Sequence, residues 1–114
     1  MNKQEILQQA ISTYGAKAQE MMLLEEMSEL QKEICKRWRG WDNTRAIAEE
    51  IADVEIMLDQ IKMIHCCAGR VRAIRASKIR RLEERIREHT ASRGPHPAQA
   101  PPSPCGGKAK GAEP

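Results

Sequence analysis

Two short acidic stretches decide the fold prediction: EEMSEL at residues 25–30 and EEIADV at residues 49–54. Within each stretch two acids stand three positions apart, Glu26 with Glu29 and Glu50 with Asp53. Residues at this spacing share one face of an α-helix. Each stretch therefore predicts a helix that carries a pair of carboxylates on one face.

Apolar residues around these stretches recur at helical spacing, which predicts four helices over about residues 3–13, 17–38, 45–65 and 70–90. Gly15 is a predicted stop signal for the first helix, and Asn43 or Thr44 is a predicted cap for the third. Aromatic residues make up only 3% of the chain and Phe is absent, which disfavours a sheet. The predicted fold is all-α, an antiparallel bundle of about four helices.

The composition changes near the end of the chain. Residues 1–90 are predicted to form one helical domain. Residues 91–114 are rich in Pro, Gly and Ala, and they are predicted to be a disordered tail because they have too little apolar surface to offset the entropy of ordering. A domain with so few large apolar residues buries a modest core, so an oligomer is a reasonable expectation.

Several classes of function are disfavoured by composition. The net charge of +3 is too small by itself to indicate nucleic-acid binding. The four cysteines form no CxxC pair, which disfavours zinc and indicates reduced thiols in the cytoplasm. No His follows a Glu at a spacing of three, which disfavours a di-iron bundle. No signal peptide or membrane-spanning run is apparent.

The acidic pairs stand out by their position on a helical wheel. On the third helix Glu50 falls inside the apolar arc, beside Val54, and Asp53 lies at its margin. On the second helix Glu26 and Glu29 border an apolar stripe, which is formed by Leu23, Met27, Leu30 and Ile34. A carboxylate that faces a core costs several kcal/mol unless it is paired, protonated or bound to a metal.

A divalent cation would relieve the repulsion among four such acids. Oxygen-only ligands favour Mg²⁺, with Mn²⁺ as an alternative. A purely structural reading stays open, in which Glu50 pairs with Lys62, Arg45 or a basic residue of the last helix.

The two motifs together resemble the ExxE…ExxD signature of the all-α, MazG-like nucleoside triphosphate pyrophosphohydrolases, in the short single-domain form of phages and prophages. Glu29 and Glu50 are 21 positions apart, which suits the helix–loop–helix hairpin of that family. The resemblance covers about residues 3–88. It implies a homodimer or homotetramer that hydrolyses a nucleoside triphosphate, ribo- or deoxyribo-, to the monophosphate and pyrophosphate.

The resemblance also assigns roles to residues. Glu26, Glu29, Glu50 and Asp53 would be the Mg²⁺ ligands, and one of these acids or Glu25 would orient the attacking water. Candidates for contacts with the nucleotide are Lys36, Lys78 and Arg81 at the phosphates and Gln19 at a base edge. Trp38 or Trp41 would stack on a base, although a core or interface role suits either tryptophan equally well.

Two other functions remain as alternatives. The first is a non-enzymatic helical module that binds nucleic acid or an acidic partner through the basic last helix, although Glu83, Glu84 and Glu88 interrupt its charge and it has no base-reading motif. The second is a plain coiled-coil dimer, which is disfavoured because a full heptad seam is absent and Glu50 occupies an apolar position.

Overall fold

The computed structural model describes residues 1–93, which form four helices: α1 (Lys3–Tyr14), α2 (Ala16–Trp38), α3 (Thr44–Ile64) and α4 (Ala68–Arg93). Across these residues no strand occurs, so the all-α prediction is confirmed. None of the four helices has both the length and the apolar character needed to cross a bilayer.

The end of α4 lies three residues beyond the predicted boundary between domain and tail. Residues 91–93 continue the helix, and the next helix-breaking residues of the sequence, Gly94 and Pro95, come directly after them. The rest of the predicted tail, residues 94–114, lies outside the described residues.

The chain divides into two compact units within the range predicted as one helical domain. Met1–Ala68 is the described part of the first unit and contains α1, α2 and α3, while the second unit begins at Gly69 and contains α4. Along α4 the large apolar side chains Ile74, Ile79, Leu82 and Ile86 are all exposed.

The first unit is built around an antiparallel pair, α2 and α3, with α1 in contact with both. The α2–α3 turn is a Schellman-type C-terminus. Trp41 N–H donates to the Lys36 carbonyl, and Gly40 N–H donates to the Arg37 carbonyl. Gly40 has φ +98°, a value that side-chain-bearing residues rarely adopt, so glycine at this position lets the chain reverse in a few residues.

The other helix ends follow partly from the sequence. Asn2 caps α1, because its Oδ1 accepts from the Glu5 N–H at 2.8 Å. Gly15 ends α1 as predicted, with φ +94°. Asn43 occupies the N-cap position of α3 as predicted, but its side chain makes no capping hydrogen bond and points to α2 instead.

The face of α2 that packs in the unit differs from the predicted apolar stripe. Leu23 and Leu30 are half-buried, whereas Met27 and Ile34 are exposed. The buried residues of α2 are the polar Gln19 and Glu33. The packed face is therefore turned toward the line of Gln19, Glu26 and Glu33, which recur every seven residues.

Candidate metal centre

Polar side chains meet in three layers along the contact between α2 and α3. The first layer pairs Gln19 with Gln60, both buried, and Gln19 Nε2 donates to Gln60 Oε1 at 2.7 Å. Gln60 in turn donates to the Met57 sulfur at 3.6 Å. This layer satisfies its buried amides by internal hydrogen bonds, as buried polar groups require.

The third layer, at the other end of the helix pair, joins Glu33 to Asn43. Both residues are buried, and Asn43 Nδ2 donates to the Glu33 carboxylate at 3.1 Å and to its backbone carbonyl at 2.9 Å. Lys36 Nζ lies 3.0 Å from the other Glu33 carboxylate oxygen and 5.5 Å from the centre of the Trp41 ring. The Glu33 carboxylate is therefore matched by two donors, one of them a cation.

The middle layer contains acids alone. Glu26 and Glu50 are half-buried and Asp53 is exposed, and each places a carboxylate oxygen within 4.8 Å of the other two. Glu26 comes from α2, whereas Glu50 and Asp53 come from one face of α3. Like charges this close destabilise one another unless a proton or a cation lies between them.

The pKa values of the two α2 acids at the α2–α3 contact, Glu26 and Glu33, shift in opposite directions. Burial raises the pKa of Glu26, and the negative charges of Asp53 and Glu50 raise it further. The hydrogen bond from Asn43, and then the one from Lys36, lower the pKa of Glu33. The two glutamates occupy equivalent positions seven residues apart on α2. Within residues 1–93 the third layer has a positive partner, Lys36, and the middle layer has none.

Glu50 supplies a second sign that the layer is incomplete. Its Oε2 atom is buried and has no hydrogen-bond partner among the described residues. A carboxylate oxygen can accept about two hydrogen bonds or bind a metal. Since carboxylate oxygens of Glu26 and Asp53 lie within 4.8 Å of Glu50, a cation fits this position. The three residues can hold a metal ion, and an oxygen-only donor set suits a hard divalent ion.

The other predicted ligands and the predicted water-orienting acid lie at the edge of this layer. Glu29 is exposed and outside the group of three, although its charge contributes the smallest of the effects that raise the pKa of Glu26. Glu25 is also exposed. The structure thus brings together Glu26, Glu50 and Asp53, with Glu29 one helical turn from Glu26.

The predicted nucleotide contacts fall in different surroundings. Gln19 is buried with its amide nitrogen bound to Gln60, and Lys36 is bound to Glu33. Lys78 and Arg81 are exposed on α4. Trp38 is exposed, whereas Trp41 is half-buried beside the Lys36 ammonium.

Sequence reasoning missed the layers on either side of the acids. Glu33 and Gln60 were not singled out, and Asn43 was considered only as a helix cap, because a search for apolar stripes does not detect polar residues at a helix interface. A signal was present, since Gln19, Glu26 and Glu33 recur at a spacing of seven, or two helical turns. A polar line at this spacing indicates a polar seam.

No protein-family model, curated protein or solved structure matches the chain. The acidic layer and the motif spacing are therefore the basis for a functional assignment.

Proposed function

We propose that this chain is a Mg²⁺-dependent nucleoside triphosphate pyrophosphohydrolase of the all-α, MazG-like type. The observation that carries the proposal is the middle layer of the α2–α3 seam. Three carboxylates from two helices lie within 4.8 Å of one another, and one buried carboxylate oxygen has no donor among the described residues.

The residues divide naturally into roles. Glu26, Glu50 and Asp53 would hold the ion, with Mn²⁺ as an alternative to Mg²⁺, and Glu29 would complete the set from the exposed edge. Bound Mg²⁺ lowers the pKa of a coordinated water and polarises phosphate oxygens. Glu25 is exposed beside this layer in sequence, and its carboxylate is the proposed acceptor of a hydrogen bond from the attacking water.

The proposed reaction is hydrolysis between the α- and β-phosphates. A water oxygen bonds to the α-phosphorus and the bond to the bridging oxygen breaks, which yields a nucleoside monophosphate and pyrophosphate. Such reactions depend mainly on positioning and on electrostatic stabilisation of the phosphate charge. Lys78 and Arg81 are proposed phosphate contacts because similar positions are basic in the family that the chain resembles, and both side chains are exposed.

Two residues would have to change partners to contact a nucleotide. The Lys36 ammonium would leave or share Glu33, and the Gln19 amide would leave Gln60. With that exchange of partners, Lys36 and Gln19 remain proposed contacts with the nucleotide. The proposed assembly is a homodimer or homotetramer, and the proposed location is the cytoplasm.

The experiment is a nucleotide panel with separate detection of pyrophosphate and orthophosphate. We expect pyrophosphate and a monophosphate from at least one ribo- or deoxyribonucleoside triphosphate with Mg²⁺, and none with EDTA. Glu50→Gln should abolish the activity, while Glu55→Gln, an exposed acid on the same helix, should leave it intact. Release of orthophosphate alone, or no release from any nucleotide, would contradict the proposal.

The alternative of a nucleic-acid-binding module rests on α4. Its basic side chains between residues 70 and 87 are exposed, and one of them, Arg87, pairs with Glu83 at 3.1 Å. A protein that binds through such a helix would show affinity for DNA or RNA that falls steeply with salt. Binding of that kind, together with no pyrophosphate release, would favour the module over the enzyme.

A further inference from the structure

Two adjacent cysteines, Cys66 and Cys67, occupy the turn that ends α3. Cys66 is exposed, Cys67 is half-buried, and both thiols are free. Neither belongs to the acidic layer, so the proposed metal chemistry does not use them. In the cytoplasm a protein disulfide is usually transient and serves catalysis or redox sensing. The pair is therefore a candidate for reversible chemistry at sulfur.

The backbone at this pair is strained. Cys67 N–H donates to the Lys62 carbonyl at 3.0 Å, and Cys66 N–H donates to the Met63 carbonyl at 3.2 Å. These are the same two hydrogen bonds that end α2, so Cys66 stands where the earlier turn has Gly40, and its φ is +51°. Glycine adopts this left-handed conformation freely, whereas a β-carbon is crowded in it. Strain of this kind concentrates at functional positions.

The turn also holds the pair in one ordered conformation. His65, the residue before the pair, has its Nε2 atom 2.6 Å from Glu20 Oε1, which ties the end of α3 to α2. In an extended chain adjacent side chains point to opposite faces, and the left-handed Cys66 interrupts that alternation. The two thiols thus start from neighbouring positions on a backbone that is already fixed, which lowers the entropy cost of joining them.

A disulfide between these neighbours is expected to be labile. Adjacent α-carbons are about 3.8 Å apart across a trans peptide, whereas those of most disulfides are about 4.4–6.8 Å apart. The short separation strains the bond and makes it easier to reduce. Strained or exposed disulfides are the regulatory ones, while structural disulfides resist reduction by glutathione.

We propose that Cys66 and Cys67 form a reversible oxidation site whose oxidant is a small-molecule disulfide such as oxidised glutathione. Cys66 is the more exposed, so its thiolate attacks first, bonds to one glutathione sulfur and releases the other glutathione as a thiolate. The Cys67 thiolate then attacks the Cys66 sulfur and releases the second glutathione. In total the two protein thiols lose two electrons and two protons, and one glutathione disulfide becomes two thiols.

Oxidation changes the end of α3. The Cys66 thiol now donates to the Met63 carbonyl, with 3.7 Å between sulfur and oxygen. The closed bridge has no thiol hydrogen, so this contact is lost, and the new ring restricts the dihedral angles of both cysteines. The turn after α3 therefore reports the thiol–disulfide balance around the protein.

The chain provides a direct readout of the bridge. Trypsin cuts after Lys62 and Arg70, so one peptide, residues 63–70, contains both cysteines and no other. The full-length protein is equilibrated in glutathione buffers of rising oxidised fraction, quenched with an alkylating agent and digested for mass spectrometry. We expect this peptide to lose two hydrogens, and a dithiol reductant to restore them. Because the folded turn is ordered, half-oxidation should need about tenfold less oxidised glutathione than in the same chain unfolded in urea.

Two matched variants test the order of attack. Cys67→Ser should accumulate glutathione on Cys66, because the second attack is lost. Cys66→Ser keeps only the half-buried thiol and should take up glutathione about tenfold more slowly. Glutathione retained on both cysteines of the unsubstituted chain, bridges to Cys35 or Cys105 instead, or a bridge that forms no more easily than in urea would overturn the proposal.

The strain is tested separately by Cys66→Gly and Cys66→Ala. Both variants remove the thiol, but only alanine keeps a β-carbon in the left-handed conformation. The Tm of reduced Cys66→Gly should exceed that of Cys66→Ala, and equal values would mean that Cys66 is not strained. Bridge formation should be the same in EDTA, which separates this proposal from the fate of the metal site.

Discussion

Replacing Glu50 by Gln is the most informative single change, because it alters charge while keeping shape. Glu50 lies between two other acids, with its oxygen within 4.8 Å of theirs, and has a buried oxygen without a donor. The substitution removes one negative charge from the layer. We expect the metal-free protein to become more stable and its response to divalent metal to disappear.

The size of the effect follows from the distances. Two unit charges 4.8 Å apart repel by about 1 kcal/mol at the dielectric constant of water and by about 3 kcal/mol at an effective value near 20. Asp53 is exposed and Glu26 is half-buried, so solvent screening places each pair nearer the lower figure. We expect a gain of about 1–2 kcal/mol, which corresponds to roughly 5–10 °C in Tm for a unit of this size.

Thermal unfolding in EDTA and in a titration of Mg²⁺ or Mn²⁺ measures both effects. A metal present at 100 times its Kd stabilises a folded protein by about 2.7 kcal/mol. The original protein should therefore gain Tm with metal, whereas Glu50→Gln should need at least tenfold more metal for the same gain. Glu55→Gln removes one exposed charge from the same helix and should behave like the original protein.

Two results would contradict a metal site at Glu50. One is a Glu50→Gln protein that gains as much Tm from metal as the original, which would mean that the ion binds elsewhere. The other is a clear loss of stability in EDTA, which would mean that the Glu50 carboxylate already has a stabilising partner.

Three further predictions concern the rest of the seam. The pKa of Glu26 is raised, so its contribution to stability is full below its ordinary value of 4.5 and is lost as pH rises through the higher folded value. The Tm of the metal-free protein should therefore fall with rising pH more steeply than the Tm of Glu26→Gln. Equal slopes for the two proteins would contradict this prediction. Asn43→Ala should lower the free energy of unfolding in urea by about 1–3 kcal/mol because the buried Glu33 carboxylate loses a donor. The control Thr44→Ala, at an exposed position, should lower it by less than about 0.5 kcal/mol. Equal losses would be evidence against the contact between Asn43 and Glu33. Gln60→Leu should lower the free energy of unfolding by about 1–3 kcal/mol because the buried Gln19 amide is left unpaired. Adding Gln19→Leu to the same chain should restore most of the loss. Additive losses in this double-mutant cycle would contradict the pairing.

The helices could be predicted from the sequence because their signals are local. Apolar periodicity placed all four within about three residues of their observed ends, and Gly15 marked the break between α1 and α2. The same wheel placed Glu50 among apolar residues, and Glu50 is half-buried in the structure. These inferences need only the geometry of one helix.

The pairing of side chains across helices could not be predicted in the same way. The helical wheel put Met27 and Ile34 on the apolar stripe of α2, yet both are exposed. Which side of a helix is buried depends on where the neighbouring helix packs against it. Asn43 or Thr44 was expected to cap α3, but the Asn43 amide donates to the buried Glu33 carboxylate instead. An unpaired buried carboxylate costs more free energy than an uncapped backbone N–H at the start of α3. Such choices depend on distances between elements that a single sequence does not contain.

Anomalous scattering from a crystal grown with Mn²⁺ would locate the proposed ion directly. We expect one strong peak in the middle layer of the α2–α3 contact, about 2.1–2.2 Å from carboxylate oxygens of Glu26, Glu50 and Asp53. A structure with Mn²⁺ bound elsewhere, or with those three carboxylates joined to lysine or arginine side chains and no peak between them, would contradict it.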